Sequence, residues 1–322
     1  MIEIGYALTS ELHNANRMVR FAQQAEEAGF SFAMISDHFH PFFNRHAESP
    51  FVWSVIGAIA HTTTRLRLGS GVTCPLIRYH PAIVAQAAAT CETMMPGRFF
   101  LGVGTGANLN EHVLGDKWPS PAVRVEMLEE AVEIIRWLWQ GKMTSWRGRY
   151  YTVEQARLYS LPDQPPPLII AAGGGKMAEL AGRLGDGLVG LAPDRKLVDT
   201  YLAAAGDDSR PRYAQMAVCW ARTEEEAKQT AFEWWPLSLV PGQLIPELPI
   251  PAHFDALARL FTPEDIARTV PCGPDPAHHV AKIQEYVEAG FTHIYIHQVG
   301  PDQTGFFEFF RREILPNLGN LS

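Results

Sequence analysis

The stretch AMISDHFHPFF, residues 33–43, ends an apolar run in Asp37, His38 and His40 and surrounds them with Phe39, Phe42 and Phe43. An imidazole titrates near working pH, so a histidine here could take or return a proton. The aromatic rings beside it could keep water away.

A metal is the other chemistry to weigh. Side-chain alternation along a strand would set His38 and His40 on one side and Asp37 on the other. A binuclear site built on such an HxH pair needs histidines after later strands, and AAGGG (171–175) and GLAPD (190–194) offer none. No metal is therefore expected. A hydrogen-bonded structural histidine is the competing reading of either residue.

Glycine supplies a different chemistry. AAGGGKMAEL (171–180) runs from an apolar strand through a glycine turn into a helix start, where backbone N–H groups could face a phosphate. It contains neither GxxxxGK[ST] nor a full GxGxxG with its later acidic residue. GVGTG (102–106) likewise allows close backbone approach and leaves room for a flat ligand. Either loop could simply close a βα turn; two on one rim favour a large phosphorylated cofactor.

The elements that must hold these loops alternate between short β-prone runs and stretches of helical period. Strands are expected at 2–8, 32–39, 66–73, 99–106, 167–174, 187–192, 213–221 and 291–299. Between them, NRMVRFAQQAEEAGF and VEMLEEAVEIIRWLWQG read as amphipathic helices closing on glycine. The pattern predicts an α/β fold, a (β/α)8 TIM barrel over 1–322 as a single domain, with its site among the loops after the strands. Insertions are expected at about 143–162, read as a hairpin, and at about 234–262, rich in proline.

Composition excludes some functions. The formal charge of -8 and a pI near 5.8, without clustered Lys and Arg, argue against nucleic acid as a partner. Cys74, Cys91, Cys219 and Cys272 form no CxxC or Cys/His cluster, so reduced thiols are expected. With no leader-like start and no apolar run of spanning length, the reading is a soluble cytoplasmic protein with a small-molecule substrate and no membrane partner.

SDHFHP, LGSGVTCP followed by RYHP, FLGVGTGANLNE, IIAAGG, GRLGDG and WPLSL occur in an order and spacing that resembles the deazaflavin-dependent glucose-6-phosphate dehydrogenases, within the bacterial-luciferase-like barrel superfamily. The resemblance covers nearly the whole chain. It implies a barrel that binds coenzyme F420 and moves hydride at the deazaflavin ring, and it suggests a homodimer. By position it implies that Asp37 and His38 contact the ring, with His38 as proton-accepting base, and that Gly71 and Val72 form a cis peptide behind it. Cys74 stands where the family has threonine, which weakens that contact. Thr105, Gly106 and Asn110 match cofactor contacts; Ala171, Ala172, Gly173 and Gly174 match the loop around the cofactor tail. Glu11 matches a pocket-lining carboxylate.

The departures bear on substrate. Ala107 replaces an acidic residue and Phe42 a tryptophan. The family's sugar-phosphate cations fall here on Asp194, on Leu244 and Ile245, and on Thr269 or Arg268. A buried phosphate dianion would be poorly paired without them, so glucose 6-phosphate is not the expected substrate. Phe42, Phe43, Trp235, Leu244 and Ile245 are expected to wall a pocket for an apolar or aromatic substrate, although any of them could instead pack into the insertion. An FMN-dependent luciferase-like monooxygenase and a non-catalytic deazaflavin-binding protein are the alternatives. His297 is expected to be a hydrogen-bonded barrel-interior residue. His278 and His279, and TEEEAKQ (223–229), are expected to be solvated surface.

Overall fold

The computed structural model describes residues 2–46 and 48–320. Its strands are β1 (Glu3–Leu8), β2 (Phe32–Ile35), β3 (Arg67–Ser70), β4 (Phe99–Val103), β5 (Thr144–Arg147), β6 (Thr152–Ala156), β7 (Leu168–Ala171), β8 (Gly187–Gly190), β9 (Arg212–Val218) and β10 (His293–Gln298). β5 and β6 form a separate antiparallel hairpin; the others close a parallel barrel in which β1 pairs with both β2 and β10. All eight expected strands and the expected hairpin are present, every barrel strand but β1 stopping earlier at its C-terminal end than the apolar runs suggested.

Helices α1 (Ala15–Ala28), α2 (Val52–Thr62), α3 (Pro81–Met94), α4 (Asn108–Glu111), α5 (Pro121–Leu138), α6 (Gly175–Leu184) and α7 (Arg195–Ala205) lie in the first six βα segments, two of them after β4. Next come α8 (Glu224–Trp234), α9 (Pro251–Ala258), α10 (Pro263–Ile266), α11 (Pro276–Glu288) and α12 (Gln303–Phe309). Local chemistry sets their limits. Asn14 accepts from the Arg17 N–H to open α1, and Gly29 closes it at a φ of 95°, where a side chain would be strained. No described helix is long and apolar enough to cross a membrane.

The lower barrel is a solid plug. Phe32, Met34, Phe100, Ile169, Tyr213 and Tyr295 fill it, and a methyl on Gly5 or Gly69 would overlap the ring of Phe32 or Phe100. Residues two further along a strand share a face, so the next layer up can be read off. On β9, β10, β1 and β2 the successors of Tyr213, Tyr295, Ala7 and Met34 are Gln215, His297, Thr9 and Ser36. On β3, β4, β7 and β8 the successors of Gly69, Phe100, Ile169 and Val189 are Gly71, Gly102, Ala171 and Leu191. Above one apolar plug, half the barrel mouth is therefore polar, and the other half carries glycine and alanine with the exposed Leu191 at its β8 edge. A second cluster, containing Leu12, Phe42, Phe43, Trp235 and Phe254, roofs this end.

Candidate functional site

β2 stops at Ile35, so Asp37, His38 and His40 lie in the loop beyond it and do not alternate as a strand would. The Asp37 carboxylate is buried: Oδ1 accepts from Arg78 Nη2 at 2.8 Å and Oδ2 from Thr73 Oγ1 at 2.7 Å. Arg78 Nη2 also reaches the Asp37 carbonyl oxygen at 3.1 Å, and Glu111 accepts from the Arg78 backbone N–H at 3.0 Å. The guanidinium hydrogen-bonds Asp37 and lies within ion-pair distance of Glu111, Nε to Oε1 at 3.6 Å. Burial would lower the Arg78 pKa, but Asp37 foremost, with Tyr79 and Glu111, holds it above its ordinary value. Glu111 moves the other way, because burial raises its pKa more than Arg78 lowers it.

The Glu11 carboxylate is buried beside this loop and accepts from Ser36 Oγ at 2.5 Å. Burial raises its pKa, yet the nearby His38 imidazole and the Ser36 hydroxyl outweigh that and hold it below the usual range. His38 Nδ1 is buried without a partner, and the ring lies 4.9 Å from that of Phe42. His40 is turned away: its Nδ1 meets the Leu109 carbonyl oxygen at 2.8 Å. Three further histidines feel the Glu11 charge. Burial pushes His13 and His46 down to about 4 and His297 down to about 3, and Glu11 only partly offsets this. These imidazoles are neutral at pH 7.

The glycine half of the mouth is shaped differently. The Gly71–Val72 peptide is cis, and a methyl on Gly104 would meet Val72 at 2.8 Å. Gly106 has a φ of 73°, and a methyl there would lie 2.5 Å from the Cys74 sulfur. That thiol is buried, and its pKa is pushed up by burial and then by Glu111, so it packs beneath Gly106 and Thr105 is left half-buried at the rim. Asn110 Oδ1 accepts from the N–H groups of Phe39 at 2.9 Å and His40 at 3.1 Å, tying the β4 loop to the β2 loop. Ala107 precedes α4 and offers no side-chain cap. Beyond Ala171 and buried Ala172, methyls on Gly173, Gly174 and Gly175 would meet nothing within 4 Å. No packing in the protein fills that cradle, so it can take the backbone contacts of a phosphate-bearing cofactor tail.

The wall follows the expected residues in part. Phe42 packs edge-on to Trp235 at 6.0 Å, and Trp235 edge-on to His297 at 4.4 Å. Phe43 differs: it is fully buried between His46 and Phe254 and braces the wall from behind. Leu244 is 40% exposed, on an outer turn of the insertion, and Ile245 is half-buried. The insertion is fastened over the β4 loop, where Asn108 N–H donates to the Pro246 carbonyl oxygen at 2.9 Å and Arg124 Nη2 to Glu247 at 2.7 Å. Asp194 caps α7, accepting from the Leu197 N–H at 3.1 Å; Arg268 is exposed against Asp265, and Thr269 is exposed.

The expectation for His279 is corrected. His278 is exposed, but His279 is buried on the inner face of α11 with Ile283 and Tyr286, and its Nε2 meets the Gly273 carbonyl oxygen at 2.9 Å. Adjacent residues on a helix point about 100° apart, so one can face solvent and the next the core. TEEEAKQ does open a helix, with Thr223 accepting from the Glu226 N–H.

Sequence reasoning missed Arg78, Thr73, Glu111, His13 and His46. Arg78 and Glu111 lay in RYHP and ANLNE, motifs quoted for their resemblance but given no role; His13 and His46 carry no local signal at all.

The sequence matches the family described as luciferase-like monooxygenase over residues 1–293. It is 36% identical to an F420-dependent glucose-6-phosphate dehydrogenase of Nakamurella multipartita, covering 98% of this chain and 96% of that one. A protein of the same description from Mycobacterium avium is 34% identical over 99% of each chain. Among solved structures, an F420-dependent secondary alcohol dehydrogenase in complex with an F420–acetone adduct superposes with a TM-score of 0.91 at 30% identity, over 97% of this chain and 98% of the other. An F420-dependent tetrahydromethanopterin reductase from Methanopyrus kandleri, at 21% identity and a TM-score of 0.78 over 98% and 99%, shares the fold.

Proposed function

The chain belongs to the luciferase-like monooxygenase family and groups there with F420-dependent dehydrogenases; from that premise we propose that it is an oxidoreductase that uses coenzyme F420 to exchange hydride with an unphosphorylated, fairly apolar alcohol, carbonyl compound or activated alkene. The observation that carries the reading is the division of the barrel mouth. His38 and Glu11 occupy the polar half, and Gly71, Gly104 and the Gly173–Gly175 cradle leave the other half open to a flat, phosphate-tailed group. When bound there, F420 supplies the carbon that accepts or returns hydride.

The protein's own residues do the remaining work. His38, with an unpartnered Nδ1, takes the hydroxyl proton as an alcohol carbon loses hydride, and returns it in the reverse direction. Glu11 stays ionised beside it and stabilises the imidazolium as that charge forms, while Ser36 fixes the carboxylate. Arg78 and Thr73 hold Asp37, and through it the loop that carries His38. Phe42 and Trp235 keep water from the reacting carbon. Ala107 relays no proton, and His40 is committed to the Leu109 carbonyl, so Glu11 is the charged group left beside His38.

A sugar phosphate is disfavoured because its cradle has gone: Asp194 is a helix cap, Leu244 and Ile245 are uncharged, and Arg268 faces solvent. A homodimer is proposed on the resemblance alone, and light scattering that returns one chain mass would remove it.

Titrating purified protein with oxidised F420 and, separately, FMN tests the cofactor. Selective F420 binding is expected, followed by bleaching with uncharged secondary alcohols and none with glucose 6-phosphate. Preference for FMN with oxygen consumption would replace this reading with a monooxygenase; F420 binding without turnover of any alcohol, carbonyl or enone would leave a binding protein.

A further inference from the structure

His297 stands one layer above the plug, two residues beyond Tyr295 and on the same face of β10. It is 1% exposed and its Nε2 has no hydrogen-bond partner. Its Nδ1 lies 3.4 Å from Nε2 of Gln215 on the neighbouring strand β9. An amide nitrogen donates, so that contact places the ring proton on Nε2. A buried N–H without a partner is costly unless something satisfies it.

His297 shares its surroundings with the reacting end of the site. Its ring lies 4.4 Å from Trp235, Trp235 lies 6.0 Å from Phe42, and Phe42 lies 4.9 Å from His38. His38 and His297 thus flank one aromatic pair, and both interact with the Glu11 charge. Burial keeps His297 neutral, and the Glu11 carboxylate makes this corner hostile to an anion. Among the described residues no three histidines, cysteines and carboxylates converge to hold a metal ion, which leaves an uncharged acceptor as the fitting partner.

We propose that His297 is a second substrate-binding group, whose Nε2–H donates to an uncharged oxygen on the substrate remote from the carbon that exchanges hydride. This rests on the function proposed above and narrows it. The substrate class becomes a small molecule with an apolar frame, buried against Phe42 and Trp235, and a second hydroxyl or carbonyl group besides the reacting one. A plain hydrocarbon alcohol satisfies His38 and leaves His297 unpaired, which weakens its binding.

The test uses isopropanol with propylene glycol, and cyclohexanol with each of its cyclohexanediol regioisomers, so that several oxygen spacings are sampled. Purified protein labelled with nitrogen-15 in histidine is titrated with each, both alone and saturated with reduced F420, which cannot oxidise an alcohol. At least one diol is expected to bind about tenfold tighter than its mono-ol and to shift the His297 ring resonance. His297→Leu removes that gap and leaves the mono-ol affinity within about twofold, which also reports that the variant is folded. His297→Gln, which keeps an N–H at a similar reach, restores part of the gap.

The inference falls if no diol outbinds its mono-ol, or if the gap survives in His297→Leu. If diols shift His297 but F420 does not bind, the subsite stands and the hydride reading falls. If F420 binds and alcohols reduce it while His297 is indifferent to the second oxygen, the subsite falls alone.

Discussion

One nitrogen of Arg78, Nη2, donates both to the Asp37 carboxylate at 2.8 Å and to the Asp37 carbonyl oxygen at 3.1 Å. A single side chain therefore fixes both the charge and the backbone at the residue before His38. The Arg78 side chain is 7% exposed and that of Asp37 1%. Removing the cation from such a pair typically costs about 3–5 kcal/mol, because the carboxylate stays buried without its partner. Arg78→Met should lose stability on that scale in urea unfolding and weaken F420 binding. Arg78→Lys should recover only part of both, since an ammonium cannot reproduce the guanidinium geometry. A stable Arg78→Met would show that Asp37 is held without it.

His38→Ala should lower turnover by about 100-fold or more and leave F420 affinity within about twofold, because the imidazole moves a proton and the glycine half of the mouth holds the cofactor. Glu11→Gln should lose less, about tenfold, by removing the charge that faces the imidazolium while keeping a hydrogen-bonding group for Ser36. Steady-state rates and fluorescence titration on the same preparations separate the two effects. An active His38→Ala removes the role assigned to it.

Acid should destabilise the protein through its buried histidines. His13 and His46 titrate at about 4 in the folded chain and His297 at about 3, against an ordinary value of 6.5. Their folded pKa values are depressed, so their stabilising contribution is complete above the unfolded value and is lost as pH falls from about 6.5 toward the folded values, where the unfolded chain binds protons that the native state refuses. Each group adds a slope of at most about 1.4 kcal/mol per pH unit. Denaturant unfolding at pH 7 and at pH 5 should show this loss, and His13→Phe should flatten the slope by about one proton. An unchanged slope in that variant would mean that His13 does not titrate differently on unfolding.

Gly106→Ala should destabilise the β4 loop by about 2 kcal/mol, as a left-handed φ of 73° and a methyl 2.5 Å from the Cys74 sulfur act together. Gly173→Ala faces no such clash and should fold normally, but it should bind F420 less tightly if that loop lies against the tail. Thermal unfolding and F420 titration of the two variants test whether one glycine serves the fold and the other the ligand.

The sequence alone determined the barrel, its eight strands, the hairpin, and the place of Asp37 and His38 at the end of the second strand, but not that β2 stops at Ile35 and leaves them in a loop. Alternating apolar runs and helical periods are local properties, and the glycine loops and SDHF carry their meaning within a few residues of chain. What it could not decide depended on distance through the fold. Arg78 meets Asp37 across 41 residues of chain, and Gln215 meets His297 across 82. His13, His46 and His279 look like any other histidine until packing removes their water. Only barrel closure sets one half of the mouth polar and the other half rich in glycine, because it brings the successors of β9, β10, β1 and β2 side by side. A pairing between strands far apart in the chain, and the desolvation that follows from it, are properties of the assembled barrel and of no single segment.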